Sequence, residues 1–353
     1  MKSNTSAAPR VRLNQLDGIK GIICFFIIFV HYVGRTPSGV FPIEWLPSLF
    51  VEKGWMFVEL FFIISGFLCA ASGKAKIKGI SFKAYLLSRL KRLYPPALFA
   101  LLLDIIVRII GIVFTGSGYR LTLFNTIKSL TFTTFIVFGE EPFPTVVWYL
   151  HVLLLCYLLY FLIGKAKNNL LYLFGVGTLL ILGLSLYLLK LDLPFLYANI
   201  GRGYFSFAIG LLIYEFQAAA KEKARTVVTL VFMTLSAICL ILSLCFSFKS
   251  VFGDVLLGFT VLIFPTVMLT LLNIPIFSKL FSIKPLVFLG KLSMGIFLVH
   301  VPLLNLFNII YATTGLMCLD SKMVFIFAIL IILLAAVGWH YLIEKRLIPK
   351  LFK

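Results

Sequence analysis

Apolar residues fill long blocks of this chain, and polar residues collect in the stretches between them. Blocks long enough to cross about 30 Å of hydrocarbon lie at 19–34, 55–73, 95–115, 144–164, 170–189, 203–216, 226–248, 255–272, 286–308 and 323–343. The pattern predicts an all-α, polytopic transmembrane bundle of about ten spans, forming one membrane domain over residues 1–353. Segment 203–216 is short for a crossing, so the count requires tilt, extension or a locally thinned bilayer. A further apolar patch, 129–139, is too short to cross. It reads either as a re-entrant or interfacial segment or as an ordinary loop lying on the membrane.

Loop charges test the count, because cytoplasmic loops hold the excess of Lys and Arg. The stretch after the second block carries Lys74, Lys76, Lys78, Lys83, Arg89, Lys91 and Arg92 without an acid, whereas the loop before it balances Arg35 and Lys53 against Glu44 and Glu52. Lys165 and Lys167, then Lys221, Lys223 and Arg225 against Glu222, then Lys279 and Lys284 repeat the bias on alternate loops. Lys345, Arg346, Lys350 and Lys353 follow the last block, so both termini are expected in the cytoplasm. No small-residue cleavage site follows the first block, which is expected to stay as a span.

Composition agrees: 61% of residues are hydrophobic, 13% are charged, and mean hydropathy is +1.08, which excludes an ordinary soluble globular domain. The net charge of +19 then reflects topology and contact with phosphate or membrane lipid. Nucleic acid is not expected, because no soluble basic domain or base-stacking aromatic platform exists to use that charge. Cys24, Cys69, Cys156, Cys239, Cys245 and Cys318 form no CxxC pair and lie mostly inside apolar blocks, which argues against disulfides and against a metal site.

Ionisable groups inside the blocks are costly in a bilayer and are the first candidates for chemistry. Lys20 and His31 stand eleven residues apart, on one helix face roughly 16 Å from each other. Glu59, in an otherwise uncharged run, either orients His31 across two helices or forms a buried ion pair with Lys20 or with a base from another span. Asp17 offers the same assistance from the cytoplasmic end, or a helix cap. Asp104 and Arg108, spaced i,i+4, read as mutual neutralisation within one helix. His151, His300, Lys291 and Ser293 line a substrate path or bond neighbouring helices. Ser65-Gly66 reads as a close helix approach, since no GxSxG elbow accompanies it. Trp45 and Trp55 read as interface anchors.

Leu16-Asp17-Gly18-Ile19-Lys20-Gly21, with His31 beyond it, opens a series of motifs. Glu59-Leu60-Phe61-Phe62-Ile63-Ile64-Ser65-Gly66-Phe67 follows in the second block, then Arg89-Leu90-Lys91-Arg92-Leu93-Tyr94-Pro95 before the third. Arg202 to Gly210, Gly290-Lys291-Leu292-Ser293 through Leu298-Val299-His300, and Glu344 come later. In this order they resemble the motifs of the acyltransferase-3 family of integral-membrane acyltransferases, in which a basic residue precedes the presumed catalytic His by eleven positions and an RxxR motif closes on a proline starting the third span. Lys20 stands where Arg is usual, which removes a bidentate donor but keeps a point charge. Trp148-Tyr149-Leu150-His151-Val152-Leu153 lacks the acid that many members carry five residues after the Trp. That absence points to the polysaccharide-modifying branch.

The resemblance implies a bacterial-type inner-membrane O-acyltransferase that takes acetyl from cytoplasmic acetyl-CoA and delivers it to a hydroxyl of a cell-surface or secreted glycan, free or lipid-linked. His31 is then the base that takes the hydroxyl proton, with Glu59, Lys20 and Asp17 in support. Arg89 and Arg92, three apart on one helical face and fixed by Pro95 at the helix start, hold the CoA phosphates through forked donors. Their other reading is anchoring on anionic lipid, a task that suits Lys74, Lys76 and Lys78 better. Trp148, His151, Arg202, Lys291, Ser293 and His300 are expected along the substrate path. Two other classes stay open. One is a proton-coupled transporter or exporter of glycan or lipid intermediates, with His31 and Glu59 as its relay, although the blocks show no internal repeat. The other is a non-catalytic scaffold, which has no need of a mid-membrane ionisable group.

Overall fold

The computed structural model describes residues 13–35, 42–43, 51–116, 122–133, 145–314 and 321–351. A helix stands on every apolar block: α1 Asn14–Val33, α2 Val58–Ile77, α3 Phe82–Thr115, then, after the short α4 Leu123–Thr131, α5 Trp148–Gly164, α6 Asn169–Leu189 and α7 Ala198–Ala219. α8 Glu222–Cys245, α9 Val255–Asn273, the short α10 Pro275–Phe281, α11 Lys284–Thr314 and α12 Ser321–Gly338 follow, and α12 continues as wide π-type turns over Trp339–Leu347. A two-stranded hairpin, Asp192–Leu193 against Leu196–Tyr197, joins α6 to α7.

Eight of the described helices are long and apolar enough to cross a membrane on their own. α5, at 17 residues, and α7, which carries Arg202 and Glu215, stand outside that set. The short block 203–216 is resolved as the middle of α7, whose 22 residues extend about 33 Å at 1.5 Å per residue. Its polar ends hide that length from a hydropathy reading.

The expectation that Pro95 opens the third span is corrected. α3 starts at Phe82, where the Ser81 side chain accepts a hydrogen bond from the Ala84 amide, and Pro95 and Pro96 lie inside the helix. The two prolines withhold hydrogen bonds from the carbonyls of Lys91 and Arg92, four residues back. Both of those residues are exposed, so water can satisfy the freed carbonyls. Asp17 is not the cap of α1 either: that position is Leu13, without a side-chain cap bond, and Asp17 lies in the first turn.

α4 buries Lys128 and Ser129 while exposing Leu123, Phe124 and Ile127, an amphipathic arrangement suited to lying in the membrane interface. The rest of the patch expected there, residues 134–139, lies outside the described residues, as do Trp45 and Cys318.

α1 packs along α11, and α7 fills the angle between α2 and α6. The glycines of the opening and late motifs make the first contact possible. A Cβ on Gly290 would overlap the Asp17 carbonyl, and one on Gly21 would come within 2.7 Å of Leu289 Cβ. Gly66 and Gly210 serve the α2–α7 crossing, meeting the carbonyls of Phe207 and Ile63, as small residues do where membrane helices approach closely. Gly290→Ala is therefore expected to destabilise the purified protein by about 1–3 kcal/mol through overpacking. Gly338→Ala, where a Cβ meets nothing within 4 Å, should be neutral or slightly stabilising. Thermal unfolding of both variants in detergent checks the contrast.

Candidate functional site

The first halves of α1, α2, α3, α5 and α11 and the turns that follow α12 surround a cavity of about 440 Å³. Its charged lining comprises Lys20, Lys91, Arg92 and Lys291, with Asp17, Glu344 and His340 among them. Lys20 Nζ donates to Asp17 Oδ1 at 2.7 Å. The wide turns of Trp339–Leu347 bring His340 and Glu344 to the same wall, His340 Nδ1 lying 2.7 Å from Glu344 Oε2. Among the described residues Arg92 and Lys291 are in no ion pair, so their charge is available to the cavity. Cations at this end outnumber acids, and the cavity's surroundings favour an anionic ligand.

Deeper in the bundle, where the lining of the cavity has ended, two histidines meet. The rings of His31 on α1 and His300 on α11 have centroids 5.1 Å apart. Arg35 Nη1 donates to His31 Nδ1 at 2.8 Å, which leaves the proton of a neutral His31 ring on Nε2. His300 Nδ1 lies 3.1 Å from the Ile296 carbonyl and donates to it. Its Nε2, in a ring that is 0% exposed, has no hydrogen-bond partner among the described residues. The open imidazole lone pair of this pair therefore belongs to His300. The ion pair of Arg108 Nε with Asp104 Oδ2, at 2.6 Å, stays within α3 as the i,i+4 spacing predicts.

Glu59 does not meet His31 or Lys20. Arg202 Nε of α7 donates to Glu59 Oε1 at 2.5 Å, with Glu59 1% and Arg202 12% exposed. The guanidinium is clamped between Trp55 and Trp148, 4.8 and 5.1 Å from their ring centroids, and also donates to Asn199 Oδ1 at 3.2 Å. Trp55 thus contributes to a cation–π clamp, a partner that its position at a span end does not reveal.

Arg89 and Arg92 part company. Arg92 lines the cavity, while Arg89 lies over the rings of Tyr85 and Tyr157, 4.7 Å from each centroid. Three residues is 300° around a helix, and the neighbours on α2 and α5 divide the two side chains between different surroundings. Ser293 and Lys291 join Lys20 and Asp17 at the cavity. His151 is buried elsewhere, its ring 4.4 Å from that of Phe132. The sequence reading missed His340, whose spacing of four from Glu344 is a signal for an i,i+4 pair, and Arg35, which stands four residues after His31.

The motifs, then, are not spread at random: the first, third and late ones meet at one cavity, and the second meets the sixth-block motif at an ion pair. The profile of the acyltransferase-3 family, described as an acyltransferase domain, matches residues 13–344. The chain belongs to the acyltransferase-3 family. It carries that family's domain and, among the described residues, eight helices long and apolar enough to cross a membrane. Protein 2 in picA locus of Rhizobium radiobacter is 35% identical to it over 103 residues, 28% of this chain and 47% of that relative. The matched part of this acyltransferase-3 protein thus spans about half the length of that curated relative. No solved structure matches.

Proposed function

We propose that this acyltransferase-3 protein is an inner-membrane O-acyltransferase moving acetyl from cytoplasmic acetyl-CoA to a hydroxyl of a cell-surface or secreted polysaccharide, free or lipid-linked. The observation that carries the reading is the pairing of a cationic cavity with the contact between half-buried His31 and fully buried His300. Acyl transfer needs a base for the acceptor proton and a docking site for the donor's anionic nucleotide. Arg92, Lys291, Lys91 and Lys20 are the donor-holding residues on this reading, with His340 and Glu344 beside them. Arg89 acts indirectly, holding Tyr157 in the cavity wall.

The acceptor hydroxyl approaches His31 and His300 from the face opposite the cavity. Its proton passes to the pair as the hydroxyl oxygen attacks the thioester carbonyl; the C–S bond then breaks, and the CoA sulfur takes that proton back and leaves as the thiol toward the cationic end. Glu59, Arg202 and Trp148 brace α2, α7 and the start of α5 against one another.

The test supplies the protein in lipid vesicles with labelled acetyl-CoA and candidate glycans, following CoA release and labelled glycan. Each of Arg92→Ala and Lys291→Ala is expected to raise KM for acetyl-CoA about tenfold or more, since a hydrogen bond to a charged group contributes about 1.5–3 kcal/mol and 1.4 kcal/mol is tenfold. Glycan crossing the vesicle membrane without CoA release from any donor would replace this reading with the transporter.

A further inference from the structure

The cavity and the histidine pair are separated by a wall, and the wall has a composition. The first lining residue of α2, the first of α5 and the last of α11 are all aromatic: Phe61, Tyr149 and Phe297. These three rings touch one another in a closed triangle. Centroids are 6.2 Å apart for Phe61 and Tyr149, 6.0 Å for Phe61 and Phe297, and 5.3 Å for Tyr149 and Phe297. Non-bonded carbons sit about 3.5–4.0 Å apart at contact, so rings this close leave no open channel for a methylene chain. Directly behind the triangle, His300 stands one turn beyond Phe297, with its ring centroid 6.0 Å from that of Phe297, and His31 follows it.

We propose that Phe61, Tyr149 and Phe297 form an acyl-size filter between the cationic cavity and the His31–His300 pair, admitting acetyl and turning back longer acyl chains. The proposal rests on the acyl-transfer reading above. A donor whose nucleotide stays with Arg92 and Lys291 brings only its acyl end to the triangle, so the gap that the rings can open sets the acyl group that reaches the base. The three rings differ in freedom. Tyr149 is tethered by the hydrogen bond between its hydroxyl and Ser65 Oγ, at 3.2 Å, whereas Phe61 and Phe297 have no polar tether and can turn by side-chain rotation. A small acyl group passes with one ring displaced. Each added methylene must displace more, and one methylene too many in an apolar pocket commonly changes discrimination about 10- to 200-fold.

The experiment compares acetyl-, propionyl-, butyryl- and hexanoyl-CoA with one acceptor in lipid vesicles, for the wild type, Phe297→Ala and Phe297→Leu. The ratio of butyryl to acetyl transfer is expected to rise at least tenfold in Phe297→Ala, with the Leu variant between it and the wild type. An unchanged ratio in both variants, with acetyl transfer still measurable, overturns the proposal. A second arm needs no turnover. A small impermeant methanethiosulfonate is added to inverted vesicles, and the thiol introduced by His31→Cys is followed by peptide mass spectrometry. Labelling should be slow with Phe297 present and at least tenfold faster when Phe297→Ala is added. Equal labelling rates would show that the rings do not separate the compartments. Failure of all CoA donors in the wild type removes the acyl-transfer reading, and the labelling arm still decides the barrier.

Discussion

Replacing Arg202 by Met is expected to destabilise the protein by about 3–5 kcal/mol, because it strands a buried carboxylate without its counter-ion. Glu59 is 1% exposed and its second oxygen, Oε2, has no hydrogen-bond partner among the described residues. The carboxylate therefore depends on the guanidinium for both charge balance and hydrogen bonding. Glu59→Gln should cost less than Arg202→Met, since a neutral amide is left beside a guanidinium that keeps Asn199, Trp55 and Trp148. Glu59→Gln combined with Arg202→Met removes both charges and should recover much of the loss. A double-mutant cycle on chemical unfolding in detergent then returns a coupling energy well above the few tenths of a kcal/mol typical of independent sites. A cycle that sums to zero would mean that the pair holds nothing together. The same variants also separate structure from chemistry: if the pair only braces α2 against α7, the double variant regains transfer along with stability, and if the charges serve the reaction, stability returns alone.

Much of the fold was legible because lipid imposes one rule on backbone polar groups, and that rule writes itself as long apolar blocks. Each of the ten blocks carries a long helix among the described residues, and only the ends differ. The ends escaped for physical reasons. α7 continues past its apolar centre into Arg202, whose charge is neutralised by a residue 143 positions away in the chain, and no local pattern carries that information. α3 begins well before Pro95 because Ser81 caps it and because a membrane helix tolerates proline where its freed carbonyls are otherwise satisfied.

The site was legible in its membership more than in its pairings. Asp17, Lys20, Arg92, Lys291 and Ser293 share one cavity, and His31 and His300 share one contact, although these residues are spread over most of the chain. Glycines at 18, 21 and 290 bring α1 and α11 close enough for both meetings. The partner of Glu59 and the division of Arg89 from Arg92 depend on which helices adjoin, which side-chain spacing along one helix cannot determine. His340 was overlooked because a single imidazole near the end of an apolar block carries no pattern of its own until the wide turn sets it against Glu344.

His31→Ala is expected to lower kcat for acetyl transfer about 100- to 10,000-fold, the usual contribution of positioned acid–base catalysis, because it removes one ring of the pair that takes the proton, while leaving KM for acetyl-CoA near its wild-type value. The split follows from position: the cations proposed to hold the donor lie at the cavity, and His31 is eleven residues beyond Lys20 on α1, about 16 Å along the helix. His300→Ala should fall to a similar level, because the lone pair without a hydrogen-bond partner in this pair belongs to His300 Nε2 while Arg35 occupies Nδ1 of His31. For the same reason the combined variant should be little slower than either alone, as residues acting as one unit lose their effect once and not twice. His300→Asn keeps a donor for the Ile296 carbonyl and discards the Nε2 position. It separates proton acceptance from packing: a variant folded like the wild type but as slow as His31→Ala marks His300 as part of the base, whereas near-normal turnover leaves His31 to act alone. Transfer undiminished in His31→Ala would remove the imidazole pair from the chemistry altogether.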